Sequence, residues 1–316
     1  MNPELILSAV ESLGVQCTGS LLALNSYENR VYQIGVEDQS PLIVKFYRPH
    51  RWTSAAILEE HAFAHELLGH EIPVVAPLTV DGKTLHEFQD FRFAIFPRQG
   101  GRMLELDNAE HLEWMGRFIG RLHAVGATQH FKHRMTINAE TYGQVPFQFL
   151  LEHDFIPAEI QPNFTPTVTM ILERVAACFA RVEDVQLIRL HGDCHAGNVL
   201  WRPEGPSIVD LDDCLLGPAM QDIWMLLSGS DEDKKRQMQI ILEGYEEFYD
   251  FNRRERHLIE ALRALRMLHY AGWLAKRWDD PAFPLNFPWF NTPRYWQEQL
   301  QHLREQLDVL DAALEK

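Results

Sequence analysis

Positive charge is in short supply in this chain. Lys and Arg number 29 against 45 Asp and Glu, a formal net charge of −16. Nucleic-acid binding needs a basic face to neutralise phosphates, so this balance excludes nucleic acid from the expected partners. Cysteine is also scarce, with four in 316 residues. Cys17, Cys178, Cys194 and Cys214 form no CxxC pair, which rules out a disulfide framework and leaves reduced thiols as the expectation. No apolar run reaches the roughly 18 residues a membrane span needs, so no membrane partner is expected. The opening stretch MNPELILSAVESLG lacks a basic n-region and carries glutamates. It predicts an amphipathic helix capped by Asn2, with Pro3 in the first turn and Gly14 as stop, and not a signal peptide. Nothing here demands a second chain, so a cytoplasmic monomer is expected. The remainder, 46% apolar and 23% charged, suffices to bury a core.

Two regimes divide the chain. From about Gly19 to Pro97 the pattern is short and strand-like. SLLALNSYENRVYQIGV predicts two strands joined near Tyr27–Asn29, LIVKFY (Leu42 to Tyr47) a third, and FRFAIFP (Phe91 to Pro97) the last. A helix is expected over Thr53 to His70, and Asp81-Gly82 marks a hairpin. QGGR, Gln99 to Arg102, reads as a hinge. Helices then dominate, among them Glu110–Gly126 and Thr165–Val182, broken by a β-like stretch from Leu187 to Asp213. A proline-aromatic loop, Asp279–Pro293, is a candidate wall of an acceptor site. The expected fold is α+β: a small antiparallel β-rich N-terminal lobe, residues 1–98, and a larger, mainly helical C-terminal lobe, residues 99–316.

LHGDCHAGNVLW, Leu190 to Trp201, concentrates the reactive groups. His191, Cys194 and His195 are zinc-ligand types, but a structural zinc needs a partner pair at characteristic spacing, and none is present. Leu190, Val199 and Leu200 suit a packed strand. Gly192, Asp193 and Asn198 do not; they describe a polar loop of the kind that carries chemistry. Asp210 follows in IVDLDD after a second short strand. An acid at one strand end, an amide just beyond it and an acid on a neighbouring strand converge on one point. Such oxygen ligands suit Mg2+, with phosphates and water completing the octahedron. Asp193 can then take the proton of an attacking hydroxyl while Asn198 and Asp210 hold the metal. Lys45, alone in LIVKFY, fits the nucleotide phosphates, with an exposed strand lysine as the plain alternative. Glu59 or Glu60 on the next helix supplies its carboxylate.

HGDCHAGNVLW followed by IVDLDD resembles the HGDxHxxN and ID-type motifs of the aminoglycoside phosphotransferase and choline kinase superfamily. GRFIGRLHAVG resembles the helix its members carry after the hinge. LNSYENRVYQ, ILEEH, VDLDD and DPAFP, spread over most of the chain, resemble a bacterial protein serine/threonine kinase of the stress response within that superfamily. The resemblance implies a two-lobed, protein-kinase-like fold. It also implies transfer of the γ-phosphoryl of ATP, with Mg2+ as cofactor, to Ser/Thr hydroxyls of protein substrates. A small-molecule kinase acting on an aminoglycoside, choline or homoserine is the alternative; a nucleotide-binding pseudokinase fits the intact Lys45, Asp193, Asn198 and Asp210 set less well.

By that resemblance Asp193 is the catalytic aspartate, and Asn198 and Asp210 bind magnesium. Lys45 contacts the α and β phosphates with Glu60 as its ion pair, Ser26 touches ATP from the covering turn, and His195 hydrogen-bonds the transferring phosphate. Departures matter too. The turn NSYENR has no glycine, so Ser26, Asn29 or Arg30 must cover the phosphates. With no HRD, DFG or APE, a regulated activation loop is not expected. His191 and Asp222 are expected to orient the catalytic loop, and Cys194 not to be a nucleophile. Asp212 and Asp213 are either ligands of a second magnesium or a helix cap or solvated pair.

Overall fold

The first helix, α1 (Pro3–Glu11), starts where Asn2 accepts the Leu5 N–H at 2.7 Å, with Pro3 at a position that needs no donor. It belongs to a computed structural model that describes residues 2–24 and 26–315. Asn25, at the head of the NSYENR turn, lies outside the described residues.

One antiparallel sheet follows. It contains β1 (Cys17–Ala23), β2 (Arg30–Val36), β3 (Leu42–Phe46) and, after helix α2 (Ser54–Gly69), β4 (His86–Phe88) and β5 (Phe91–Pro97), in the order β1-β2-β3-β5-β4. The pleat of β3 sorts its side chains. Val44 and Phe46 join Ile34, Phe93 and Ile95 against Ile6, Ala9 and Val10 of α1. Ile43 and Tyr47 join Ala94 and Phe96 against Ile57 of α2. Lys45 shares the parity of Ile43 and Tyr47, so it lies on the α2 face, and it is only 7% exposed. The expected turn at Asp81-Gly82 supports a single bridge, Val80 to Lys83. The hairpin proper joins β4 to β5 through Gln89 and Asp90, with φ of 48° and 65°. Aspartate tolerates that left-handed region, so the turn forms without glycine.

The Gln99–Arg102 segment runs into β6 (Arg102–Met103), and α3 (Ala109–Gly126) follows. Later come β7 (Ile188–Leu190), β8 (Val199–Arg202) and β9 (Gly205–Ile208). β8 pairs antiparallel with both β6 and β9. Two compact units form: residues 1–134, 189–215 and 225–250 in the first, and 135–188, 216–224 and 251–316 in the second. In the first, α3 lies against the helix Asp231–Tyr245. A Cβ at Gly116 or Gly120 would come within 2.0 Å of the Ile241 carbonyl oxygen or 2.5 Å of that of Tyr245. The two glycines of GRFIGRLH, one turn apart, therefore allow the close backbone approach.

The second unit is mainly helical. Its helix Gln161–Arg181 begins before the expected Thr165 and carries Pro166 inside. An interior proline costs about 3 kcal/mol, and burial of Phe164, Val168, Ile171 and Val175 offsets it. A π-helical turn, Ala139–Gln144, and the helix Val145–Glu152 were not foreseen. The proline-aromatic stretch contains a short helix, Ala282–Asn286, and buries Phe283, Phe287 and Phe290 while Leu285 and Trp289 stay exposed. No helix among the described residues is long and apolar enough to cross a membrane.

Glu255, in this second unit, is buried and accepts the Met220 N–H at 2.9 Å. Burial pushes its carboxyl up from 4.5 to about 7, against the pull of the Met220 and Ala219 N–H groups. Between those two pH values the folded chain holds a proton that the unfolded chain has lost. Glu255 therefore favours folding below pH 4.5, and that contribution disappears as pH rises through 7, a loss of about 3 kcal/mol. Urea unfolding of wild type and Glu255→Gln across pH 4.5–8 should show their stability difference changing by that amount. A constant difference would refute the assignment.

Candidate active site

β7 delivers the chain to His191, which is fully buried. His191 Nδ1 accepts the Asp193 N–H at 3.2 Å, so its Nε2–H donates to the Val209 carbonyl at 3.0 Å. The imidazole thus ties the start of the loop to the strand end preceding Asp210. Gly192 has φ +84°, and a Cβ there would sit 2.2 Å from the Asp213 carbonyl oxygen. Only glycine meets both conditions. Asn198 donates its amide N–H to the Asp193 carbonyl at 3.0 Å, which leaves Oδ1 as the oxygen that could accept a ligand. His195 Nδ1 accepts the Gly197 N–H at 3.0 Å, which turns Nε2–H toward the Asp193 carboxylate, 3.4 Å away. His195 is thus placed on the aspartate rather than beyond it.

Lys45 Nζ lies 2.7 Å from Asp210, 3.7 Å from Asp212 and 3.8 Å from Glu60. Burial alone would lower the Lys45 pKa; the charges of Asp210, Asp212 and Glu60 outweigh it and hold the ammonium well above its ordinary range. Burial pushes Glu60 up to about 7 despite Lys45 beside it. Glu59 faces elsewhere: its carboxylate accepts the backbone N–H groups of Lys132, His133 and Arg134 at 2.7, 2.7 and 3.1 Å. Asp210 has φ 62° and ψ 64°, a left-handed backbone that aspartate adopts more readily than most residues, and its side chain is half exposed.

Asp212 and Asp213 are neither a solvated pair nor a helix cap. Asp212 is buried and takes the Asn29 Nδ2–H at 3.0 Å together with the guanidinium of Arg51, which also pairs with Asp213. Burial opposes ionisation of Asp212, but Arg51, Lys45 and Arg134 hold its carboxyl well below the usual range. Desolvation pushes Asp213 up; Arg51 pulls it down, and the nearby charges of Asp212, Asp193 and Asp210 raise it again. Arg134 stacks on Trp52, with 4.2 Å to the ring centre, and donates to the carbonyls of Leu211, Asp212 and Cys214. Asn29 Oδ1 accepts the Arg48 N–H at 3.1 Å, and Arg48 donates to the Tyr27 and Glu28 carbonyls. The glycine-free turn is thus clamped from below. Ser26 is half-buried in that turn and, among the described residues, makes no hydrogen bond to this network.

Sequence reasoning missed Arg51 and Arg134. For Arg51 a signal existed: three aspartates in VDLDD need cations, and RPHRW places two arginines just after the Lys45 strand. No local signal marks Arg134, which acts through carbonyls nearly eighty positions away. The fourth cysteine, Cys214, is fully buried, which pushes its thiol up to about 12.

The residues fit a bound divalent cation. The carboxylates Glu28, Glu60, Asp210, Asp212 and Asp213 cluster with the cations Lys45, Arg48, Arg51 and Arg134, and Asp193 faces His195. Net negative charge from oxygen donors, with Asp210 open to solvent, matches a hard cation. Among the described residues no three His, Cys, Asp or Glu side chains form a ready cage; the candidate ligands are one amide and one carboxylate.

The sequence pattern of the phosphotransferase enzyme family, APH, matches residues 20–259. "Stress response kinase A" of Escherichia coli O157:H7 is 46% identical over 310 residues, covering 98% of this chain and 94% of that protein. "Serine/threonine protein kinase RdoA" of Salmonella typhimurium matches to the same extent, 46% over 310 residues, with 98% and 94% covered. Among solved structures, amicoumacin kinase hAmiN in complex with AMP-PNP, Ca2+ and Ami superposes with a TM-score of 0.74 at 19% identity, covering 98% of this chain and 94% of that one. A microcompartment-associated aminopropanol kinase gives 0.71 at 16% identity, with 98% of both chains covered. Those two share the fold, an antiparallel N-terminal sheet followed by a mainly helical remainder. With a family pattern spanning most of its length and relatives almost half identical end to end, the chain belongs to the phosphotransferase enzyme family and is a kinase of that family.

Proposed function

We propose that this kinase transfers the γ-phosphoryl group of Mg·ATP to a serine or threonine hydroxyl of a protein, in a cytoplasmic stress response. The observation that carries the proposal is the meeting of Lys45, Glu60 and Asp210 around one point, with Lys45 Nζ 2.7 Å from Asp210. Lys45 and Asp210 neutralise each other here. A phosphate anion takes the place of Asp210 on Lys45, and Glu60 keeps the ammonium aimed. Asn198 and Asp210 would hold the magnesium ion, which would screen the charge of the phosphate oxygens. Asp193 receives the proton of the attacking hydroxyl, and His195 Nε2–H orients the carboxylate that receives it. The clamped 26–29 turn covers the phosphates, with the half-buried Ser26 as its hydroxyl toward ATP. The lobe boundary near residue 98 lies between the Lys45 sheet and the helical part that follows.

The names of the relatives, stress response kinase A and serine/threonine protein kinase, support a protein acceptor and the stress setting. The test uses ATP labelled at the γ-phosphate, offered with a bacterial protein mixture and, separately, with small cationic alcohols. Label on protein serine or threonine is expected. Label only in the small-molecule fraction overturns the acceptor, and no transfer to either overturns the proposal as a whole.

A further inference from the structure

Glu59 is the acid of the ILEEH pair that the mechanism above leaves unused. Helix α2 carries it beside Glu60, about 100° away around the axis, so the two meet different neighbours. Glu60 meets Lys45. Glu59, half-buried, meets the segment after α3, where its two oxygens accept the N–H groups of three consecutive residues, Lys132, His133 and Arg134. Hydrogen bonds to a charged acceptor are roughly twice as strong as neutral ones. That segment is itself fixed. Arg134 is buried, stacked on Trp52 and bonded to the carbonyls of Leu211, Asp212 and Cys214. Phe131 is buried edge-on against Phe63 of α2, with 5.5 Å between ring centres. Farther along α2, Glu66 takes the guanidinium of buried Arg189 at 2.7 and 3.0 Å, and Arg189 also donates to the Val125 carbonyl at 2.9 Å. Glu59, Phe63 and Glu66 are four and three residues apart, so one face of α2 is bolted down.

We propose that Glu59 is a positioning residue of the phosphoryl transfer: anchored on the 132–134 backbone, it sets the rotation of α2 about its axis and with it the reach of Glu60 to Lys45. The inference rests on the reading of Lys45 and Glu60 as the pair that serves the nucleotide phosphates. Glu60 does not hold itself in place. Its Oε1 is 3.8 Å from Lys45 Nζ, too long for a hydrogen bond, and its buried Oε2 has no hydrogen-bond partner among the described residues. Its position is therefore set by the helix that carries it. Apolar packing of Ile57 on the sheet holds α2 close, but such contacts are non-directional. The three directed bonds of Glu59 sit at the turn of Glu60 itself, whereas Glu66 lies nearly two turns away.

The test is a double-mutant cycle on the full-length protein. Calorimetry reads the affinity for a non-hydrolysable ATP analogue with Mg2+ in the wild type, Glu59→Ala, Glu60→Gln and the double variant. Glu59→Ala is expected to weaken binding about tenfold, and Glu59→Gln, which keeps an oxygen for the N–H groups, only about threefold. In the Glu60→Gln background, Glu59→Ala should cost no more than about twofold, because its effect runs through Glu60. A merely structural role lowers thermal stability without this coupling. An equal loss in both backgrounds overturns the inference. So does wild-type affinity in Glu59→Ala when Glu60→Gln binds weakly, and the Lys45–Glu60 reading then stands. Wild-type affinity in Glu60→Gln overturns that reading together with the inference. If Glu59→Ala does not fold, Glu59→Gln takes its place in the cycle, and a loss equal in both backgrounds, or absent from both, overturns the inference.

Discussion

Asp193→Asn lowers kcat by roughly 10²–10⁴-fold, the usual cost of removing a general base, and leaves ATP affinity unchanged. The separation follows from how Asp193 is held. Its N–H donates to His191 and its carbonyl accepts from Asn198, so the loop is fixed through main-chain groups that the substitution keeps. Only the carboxylate changes, and the carboxylate faces His195 rather than the Lys45 cluster. Lys45, Glu60 and Asp210 are untouched, so the nucleotide still binds. Steady-state kinetics paired with a direct ATP-binding measurement checks both halves. A kcat within tenfold of wild type would remove Asp193 from the chemistry. A large fall in ATP affinity would mean that the loop had moved.

Asp210→Asn gives the second large effect, and its signature is different. The magnesium dependence of nucleotide binding disappears, and kcat falls by on the order of 10²–10³-fold, as when charge stabilisation at a transferring group is lost. Asparagine suits the test because, like aspartate, it tolerates the φ of 62° found here. The substitution also removes the closest partner of Lys45, at 2.7 Å. The ammonium is then more available to phosphate, so affinity for ATP without metal holds or rises. Calorimetric titration of ATP with and without Mg2+ reads this directly. A magnesium effect as large as that of the wild type would show that Asp210 is not the ligand. The two variants therefore separate proton acceptance from metal holding.

How much of this was legible beforehand depended on distance along the chain. Asp193, His195 and Asn198 lie within six residues, and Asp210 follows two residues past the paired strand β9, next to Val209, whose N–H donates to the Asn198 carbonyl at 3.0 Å. Lys45 was visible as a charge in an apolar strand, but its burial was an even choice until the pleat of β3 and the packing of α2 set its face. Glu59 and Glu60 are neighbours on a helix, about 100° apart around its axis. Periodicity cannot choose between them; the contact of α2 with residues 132–134 does. The helix expected over Thr165–Val182 begins earlier, at Gln161, because buried Phe164 and Val168 hold its first turns in place around Pro166.

By itself the sequence determined the strand and helix alternation, the loop that carries Asp193 and Asn198, and the family, because these rest on short-range spacing and side-chain chemistry. The tertiary structure alone decided that Asp212 and Asp213 are ion-paired to Arg51, that Arg134 grips the carbonyls beside Asp210, and that Glu60 rather than Glu59 meets Lys45. Those contacts join residues far apart in the chain. Electrostatic attraction acts across space, and only the packed fold sets which charges become neighbours.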